Sequence, residues 1–273
     1  MAEPSAKPAA GVVRMVERLG RRTVGGVEEF GFATTLLGET LYWITLGRWR
    51  HQPVRLAAVV DQMMEIGIFA IPIVTVLSAT IGAMLAIQGI DTLETFGAES
   101  QVTIGIAIGV TREFAPLITG IVVAGRSGSA LAARLGTMQI NQEIDALTVM
   151  GIEPVRYLAA PALVAMLVML PALTFWSDVV ALLGAGLYVA ADLGVTVRTF
   201  LEQTRDVLAV GDLLHGLAKS ALFAVLVAVV GVVNGALVGG GAEGVGRATT
   251  RAVVHSIAAI VIADMIVAFL LTR

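Results

Sequence analysis

Arg112-Glu113-Phe114-Ala115-Pro116-Leu117-Ile118-Thr119-Gly120 sets two adjacent ionisable residues and a proline inside an apolar run that covers 102–125. A helix needs about 20 apolar residues to cross the hydrocarbon core of a bilayer, and this run supplies them. It therefore reads as a membrane span carrying charge. Each ionised group near mid-bilayer costs about 2.5–3.5 kcal/mol on insertion scales, so each must face partners, water or a polar substrate. Neighbouring helical residues point about 100° apart, which makes Arg112 and Glu113 a poor pair for each other and directs each toward another helix. Pro116 removes the donor that would bond the Arg112 carbonyl, so a kink is expected there. Arg112, Glu113 and Pro116 are the candidates for cavity polarity and gating, against the plainer reading that the charges only pin the bundle together.

The rest of the chain agrees with a membrane class. Of 273 residues, 57% are hydrophobic and 14% charged, and the mean hydropathy is +0.87, more apolar side chain than a soluble domain divides between core and wetted surface. Besides 102–125, apolar runs lie at about 66–90, 157–191, 220–242 and 252–271. The expected fold is all-α and polytopic with five transmembrane helices. The 157–191 run is long and holds Pro171, where a tilt or break is expected. With a formal net charge of −3, there is no case for nucleic-acid binding. With no cysteine and three scattered histidines, no metal site or disulfide is expected. No cofactor is called for.

Residues 1–60 hold eight Lys or Arg, and Arg14, Arg18, Arg21 and Arg22 alternate with Val12, Val13, Val16 and Leu19. No cleavable signal peptide is expected there; the spacing suits an amphipathic helix lying at a membrane interface. Residues 61–273 hold all five apolar runs and form one membrane-embedded unit. Arg126, Arg134 and Arg156 between spans two and three, and Arg247 and Arg251 between the last two, put those segments in the cytoplasm by the positive-inside rule, with the N-terminus inside and the C-terminus outside.

Two glycine-rich matches fail on context. Gly239 to Gly244 formally fits a dinucleotide fingerprint and the following residues approach a phosphate loop, but the lysine and the flanking strand and helix are missing. Gly231, Gly235 and Gly239, four residues apart, instead form a small-residue stripe that lets helices approach closely. Asp178 and Asp264 are intramembrane carboxylates; they raise a proton-coupled secondary carrier using Glu113, Asp178 and Asp264 as the alternative, against the plainer reading that Asp178 sits in a water-accessible cavity or pairs with a base such as Lys219 or Arg112 and that Asp264 caps contacts within the bundle.

The segment 126–154 carries Gly128, Ser129, Ala132, Ala133 and Gly136, then Ile140, Ile144, Leu147 and Met150 at helical spacing, with Glu143 and Asp145 on other faces. It reads as one or two short amphipathic helices on the cytoplasmic side, suited to receive a soluble partner in a groove.

These residues resemble the MlaE/YrbE permeases, membrane subunits of ATP-binding cassette (ABC) transporters associated with MCE lipid-transport proteins. The likeness is closest over Arg112-Glu113-Phe114-Ala115-Pro116, Ala124-Gly125-Arg126, Leu135-Gly136-Thr137-Met138, Glu143-Ile144-Asp145-Ala146-Leu147, Met150-Gly151, Pro154 and Pro161. Gln142-Glu143 reverses the acid and amide of some members. The resemblance implies a permease subunit in the inner membrane that moves phospholipid or a related lipid, with ATP hydrolysis on a separate ATPase. It further implies a second permease copy or paralogue, an MCE-domain protein and a STAS-domain protein as partners. By the same likeness Arg126, Gly128, Glu143, Asp145, Leu147, Met150 and Gly151 belong to a coupling helix between spans two and three.

Overall fold

The computed structural model describes residues 9–47, 49, 54–98 and 101–271. Among them there is no β-strand, as expected where lipid cannot satisfy backbone groups and helices bond internally. Helix α1 (Ala9–Leu46) is followed by α2 (Leu56–Ile66), α3 (Ile71–Glu94), α4 (Val102–Gly109), α5 (Ala115–Val123), α6 (Ser129–Ile140), α7 (Glu143–Val149), α8 (Ala160–Leu193), α9 (Val197–Val207), α10 (Val210–Ala236) and α11 (Gly241–Leu271).

Five stretches are long and apolar enough to cross a membrane: Leu56–Glu94, Val102–Ile140, Val155–Leu193, Val210–Ala236 and Gly241–Leu270. The count matches the sequence reading, but the helices run further than the apolar segments. At 1.5 Å per residue a 39-residue stretch reaches roughly 58 Å, well beyond the roughly 30 Å hydrocarbon core. Helix α8 stays helical through Pro171, so the expected break is absent. The turn before the last span comes at 237–240, where Gly240 and Gly241 take positive φ, earlier than the 243–251 expected from hydropathy. Between the third and fourth spans lies α9, whose Phe200 and Thr204 are buried one turn apart.

Small residues decide how closely the spans approach. Along α3, Val74, Ser78, Gly82, Ala86 and Ile90 are buried at four-residue intervals, a stripe laid against α8. A Cβ at Gly82 would stand 2.0 Å from the Ala181 carbonyl oxygen, and one at Gly184 would stand 2.4 Å from the Ala79 carbonyl oxygen. Ser78 and Ser177 hydroxyls meet across the same contact at 2.7 Å. Backbone cannot yield as a flexible side chain does, so Gly82→Ala should destabilise the purified protein by about 1–3 kcal/mol through overpacking. Gly105 in α4 has nothing within 4 Å, and Gly105→Ala should leave the thermal melting temperature equal or raised. Equal melting of both variants and wild type would refute this account of the α3–α8 contact.

Gly231 and Gly235 of the anticipated stripe face α6: added Cβ atoms would lie 3.1 Å from the Gly128 carbonyl and 2.7 Å from Leu135 Cβ, while Gly239 meets nothing. Helix α6 is thus a buried continuation of span two, with Leu131, Ala132, Leu135 and Gly136 inside the bundle. Over 126–154 the described structure holds α6, packed inside the bundle, and the separate short helix α7. Small residues that suit a docking surface equally suit helix crossing, and here crossing consumes them.

Helix α1 is not among the stretches apolar enough to span. Its Leu36 is buried in the same core as Ala159, Leu163 and Val232, while Val24, Val27, Phe30 and Leu41 stay exposed. The side chains of Arg14, Arg18, Arg21 and Arg22, on which the interfacial reading rests, lie outside the described residues, as do residues 1–8.

Candidate functional site

Span two is interrupted twice by a wider, π-helical turn, at Val110–Phe114 and at Ala124–Gly128. The first holds Arg112 and Glu113 and ends two residues before Pro116. Proline cannot donate to the Arg112 carbonyl, and a π turn is one way a helix absorbs that lost bond without breaking. Span three repeats the device: Val155–Ala159 is π-helical ahead of Pro161.

The wide turn presents both charges to α10. Arg112 Nε donates to Asp212 Oδ1 at 2.7 Å, and Nη2 meets the same oxygen. Lys219 Nζ donates to Glu113 Oε2 at 2.5 Å and forms an ion pair with Asp264 Oδ1 of α11 at 2.9 Å, at an angle that is not a hydrogen bond. Asp212 and Lys219 are seven residues apart, two turns on one face of α10. Between them, an added Cβ at Gly216 would lie 2.2 Å from the Thr111 carbonyl oxygen, so only glycine lets α10 come near enough for both pairs to close.

The row is unevenly wetted. Lys219 is fully buried, whereas the side chains of Glu113 and Arg112 are 38% and 47% exposed. Asp212 Oδ2 also accepts from the Ala209 backbone N–H at 3.0 Å, which fixes it in the first turn of α10, where a carboxylate meets the positive end of the helix dipole. Three carboxyl groups, those of Glu113, Asp212 and Asp264, share two cations, Arg112 and Lys219.

The sequence singled out Arg112, Glu113 and Pro116, and the structure brings them together. It weighed Lys219 only as a partner for Asp178, and it gave Asp212 no role. The spacing of Asp212, Gly216 and Lys219 along an apolar helix was the signal for both. Asp178 stands apart: it is 4% exposed and neither carboxylate oxygen has a hydrogen-bond partner among the described residues. Lys219 and Arg112 are engaged elsewhere.

Beside the row, a cavity of about 330 Å³ opens between α3 and α4. Leu85, Gly89, Leu93, Val102, Gly105 and Phe114 line it together with Gln88 and Thr92; Phe114 is the residue of the Val110–Phe114 turn that reaches it, while Arg112 and Glu113 face α10.

The residues expected on a coupling helix fall into two groups. Glu143, Asp145, Leu147, Met150 and Gly151 gather on α7 and its end. Gln142 (φ 59°) and Gly151 (φ 74°) bound this element with left-handed turns, and α7 buries none of its residues. Val149 and Met150 are 89% and 64% exposed. Arg126 and Gly128 instead lie in the Ala124–Gly128 turn, at the other end of α6 and about 18 Å away by its rise. Arg126 Nη1 donates to the Glu65 carbonyl at 2.9 Å, and Gly128 packs under Val227, whose Cγ1 a Cβ would meet at 2.9 Å. Arg126 thus ties span two to α2, and the missing side chain of Gly128 lets α10 approach.

Residues 59–270 match the family model described as Permease MlaE. A probable ABC transporter permease protein of Rickettsia typhi is 32% identical over 221 residues, 81% of this chain and 85% of its own length. A probable ABC transporter permease protein of Rickettsia prowazekii is 32% identical over 256 residues, 94% and 97% of the two chains. The intermembrane phospholipid transport system permease protein MlaE of Haemophilus influenzae is 29% identical over 249 residues, 90% and 92%.

Proposed function

The chain belongs to the MlaE permease family, and from that premise we propose how it works as the membrane subunit of an ABC transporter for phospholipid. It is a transport permease, not an enzyme, and hydrolysis belongs to a separate ATPase. The observation that carries the lipid reading is the largely apolar cavity between α3 and α4, walled in part by Phe114 of the same turn that holds the half-open Arg112 and Glu113. Apolar walls accept acyl chains, and charges at their edge accept a polar head group.

In this reading α7 receives the ATPase. Its exposed Val149 and Met150 supply the apolar contact, and Glu143 and Asp145 the charged rim. Closure of an ATPase pair moves α7, and α6 carries the displacement as a rigid rod into span two, because it continues that span through the Ala124–Gly128 turn. The π turn at Val110–Phe114 is then the place where the rod bends and the charged row shifts against α10. A second copy or a paralogue covers the exposed ends of Arg112 and Glu113. The basic segments face the cytoplasm with the N-terminus inside and the C-terminus outside, in the inner membrane. An MCE-domain protein on the outer side and a STAS-domain protein on the ATPase complete the assembly.

The proton-coupled alternative gains no support. Glu113 and Asp264 are both tied to Lys219, and among the described residues Asp178 has no hydrogen-bond partner.

The deciding experiment is purification of the chain with its co-expressed neighbours, followed by reconstitution in phospholipid vesicles. An ATPase should copurify, and phospholipid should stimulate its hydrolysis. A lone protein that drives pH-dependent uptake without ATPase would overturn the proposal.

A further inference from the structure

A second cavity lies at the opposite end of spans one to three from the first, where α2 begins, α6 ends and the third span starts. It measures about 380 Å³ and is lined by Arg55, Asp61, Gln62, Arg134 and Tyr157. A smaller neighbouring crevice shares Gln62 and Arg134 and adds Ser127. Unlike the cavity between α3 and α4, this one mixes charged and polar groups with the apolar side chains of Met138, Leu158 and Pro161, and the transport reading above leaves it without a role.

Its polar groups are arranged as donors. Arg55 Nη1 donates to the Tyr157 hydroxyl at 3.0 Å and the guanidinium lies 5.3 Å over the same ring, so the tyrosine holds Arg55 in place by its ring and its oxygen together. Because that oxygen accepts, the Tyr157 O–H remains free to donate. Oriented with its oxygen toward Arg134, Gln62 accepts from Nη1 at 2.8 Å and leaves its NH2 group free. Each guanidinium carries five N–H donors and these contacts use only some of them. Among the described residues neither Arg55 nor Arg134 forms an ion pair with a carboxylate, although Asp61 lines the same cavity. Ser127 is 6% exposed and its hydroxyl has no partner.

Two fixed guanidiniums without a counter-ion, a free O–H and a free amide around one space are the chemistry that receives a phosphate. Asp61, unpaired on the same wall, is the chemistry that receives an ammonium. Trp43, with Arg156 5.6 Å over its ring, and Tyr157 form an aromatic level at this end of the spans, the kind of side chain that is enriched at the height of lipid head groups. We propose that this cavity is a head-group site for a zwitterionic aminophospholipid, its phosphate held by Arg55, Arg134 and Tyr157 and its ammonium by Asp61. It deepens the permease reading by naming a class of lipid and a second place on the chain that holds it. On the orientation proposed above it faces the cytoplasmic leaflet.

The test uses the full chain purified in detergent, with no ATPase and no transport step, so its failure leaves the permease reading standing. Binding is measured by calorimetry with dihexanoyl phosphatidylethanolamine, dihexanoyl phosphatidylglycerol and inorganic phosphate. The phosphatidylethanolamine should bind at least about tenfold more weakly to the Arg55→Gln/Arg134→Gln variant. Asp61→Asn should bring its affinity down to that of phosphatidylglycerol. Tyr157→Phe, which keeps the ring under Arg55 and removes one hydroxyl, should weaken it several-fold and provides the test if the double variant does not fold. Affinity unchanged in the arginine or tyrosine variants overturns the proposal. Inorganic phosphate binding with the same arginine dependence and equal strength assigns the site to free phosphate instead and overturns it as well. Equal binding of the two lipids to the wild-type chain removes the ammonium contact and with it the aminophospholipid.

Discussion

Lys219→Met is expected to lower the stability of the purified permease by about 3–5 kcal/mol and to abolish ATP-driven lipid movement, the largest loss from any single change in the bundle. The side chain is fully buried and its ammonium is shared between Glu113 and Asp264. Methionine fills a similar volume but leaves two carboxylates facing each other in a low-dielectric interior without a cation. Removing one partner of a buried ionic group costs far more than the pair contributes, because the uncompensated charge remains. In a chain of this size the loss corresponds to a fall on the order of 10 °C in thermal melting in detergent.

The contrast with Glu113→Gln gives the prediction its force. That change leaves Lys219 one ionised partner, Asp264, and keeps an oxygen acceptor at 113, so most of the folded stability should survive while the charge at the cavity edge is lost. Lipid-stimulated ATP hydrolysis should then fall in Glu113→Gln with little change in melting. If Lys219→Met melts and transports as wild type does, the charged row is dispensable and the cavity assignment fails. If Glu113→Gln transports normally, Glu113 is confined to holding the bundle together.

Met150→Asp is expected to detach the ATPase, weakening the association about 100-fold. The permease itself should be untouched, since α7 contributes no buried residue to the fold and Met150 is 64% exposed. An aspartate at the centre of an apolar contact must be desolvated without a partner, which is costly where the exposed methionine was free to bury. Copurification of tagged permease with its ATPase checks this directly: normal recovery of the ATPase with the variant would place the docking surface elsewhere. Gly128 is the informative control. Small and close in sequence, it packs under Val227, so Gly128→Val should lower melting before it alters ATPase affinity.

These outcomes separate two kinds of information in the chain. The number of spans, their all-α character and the positions of Arg112, Glu113 and Pro116 were legible in sequence, because each depends on a local cost: an apolar run long enough for the hydrocarbon, an ionised group within it, a missing backbone donor. Family membership was legible for a related reason, since its motifs lie in the π turns, the glycine contacts and α7, where few residues fit. Helix ends were read less well. Hydropathy reports where lipid stops, whereas α6 and the ends of α8 and α10 continue as helices supported by their neighbours.

The identity of each charged partner was decided by tertiary structure alone. Adjacent residues on span two bind positions 100 and 106 residues further along the chain, and that pairing exists only because Gly216 lets α10 approach the Thr111 carbonyl. The fate of the small residues was decided in the same way. Gly128, Ala132 and Gly136 read equally well as a docking face or as a crossing face, since both need short side chains, and the packing of α6 against α10 and α11 made them a crossing face. What the sequence determined about this protein is where polar and apolar groups must avoid the wrong solvent. What only the tertiary structure decided is which of those groups satisfy one another, because distance between helices is set by the whole bundle and by no single segment of it.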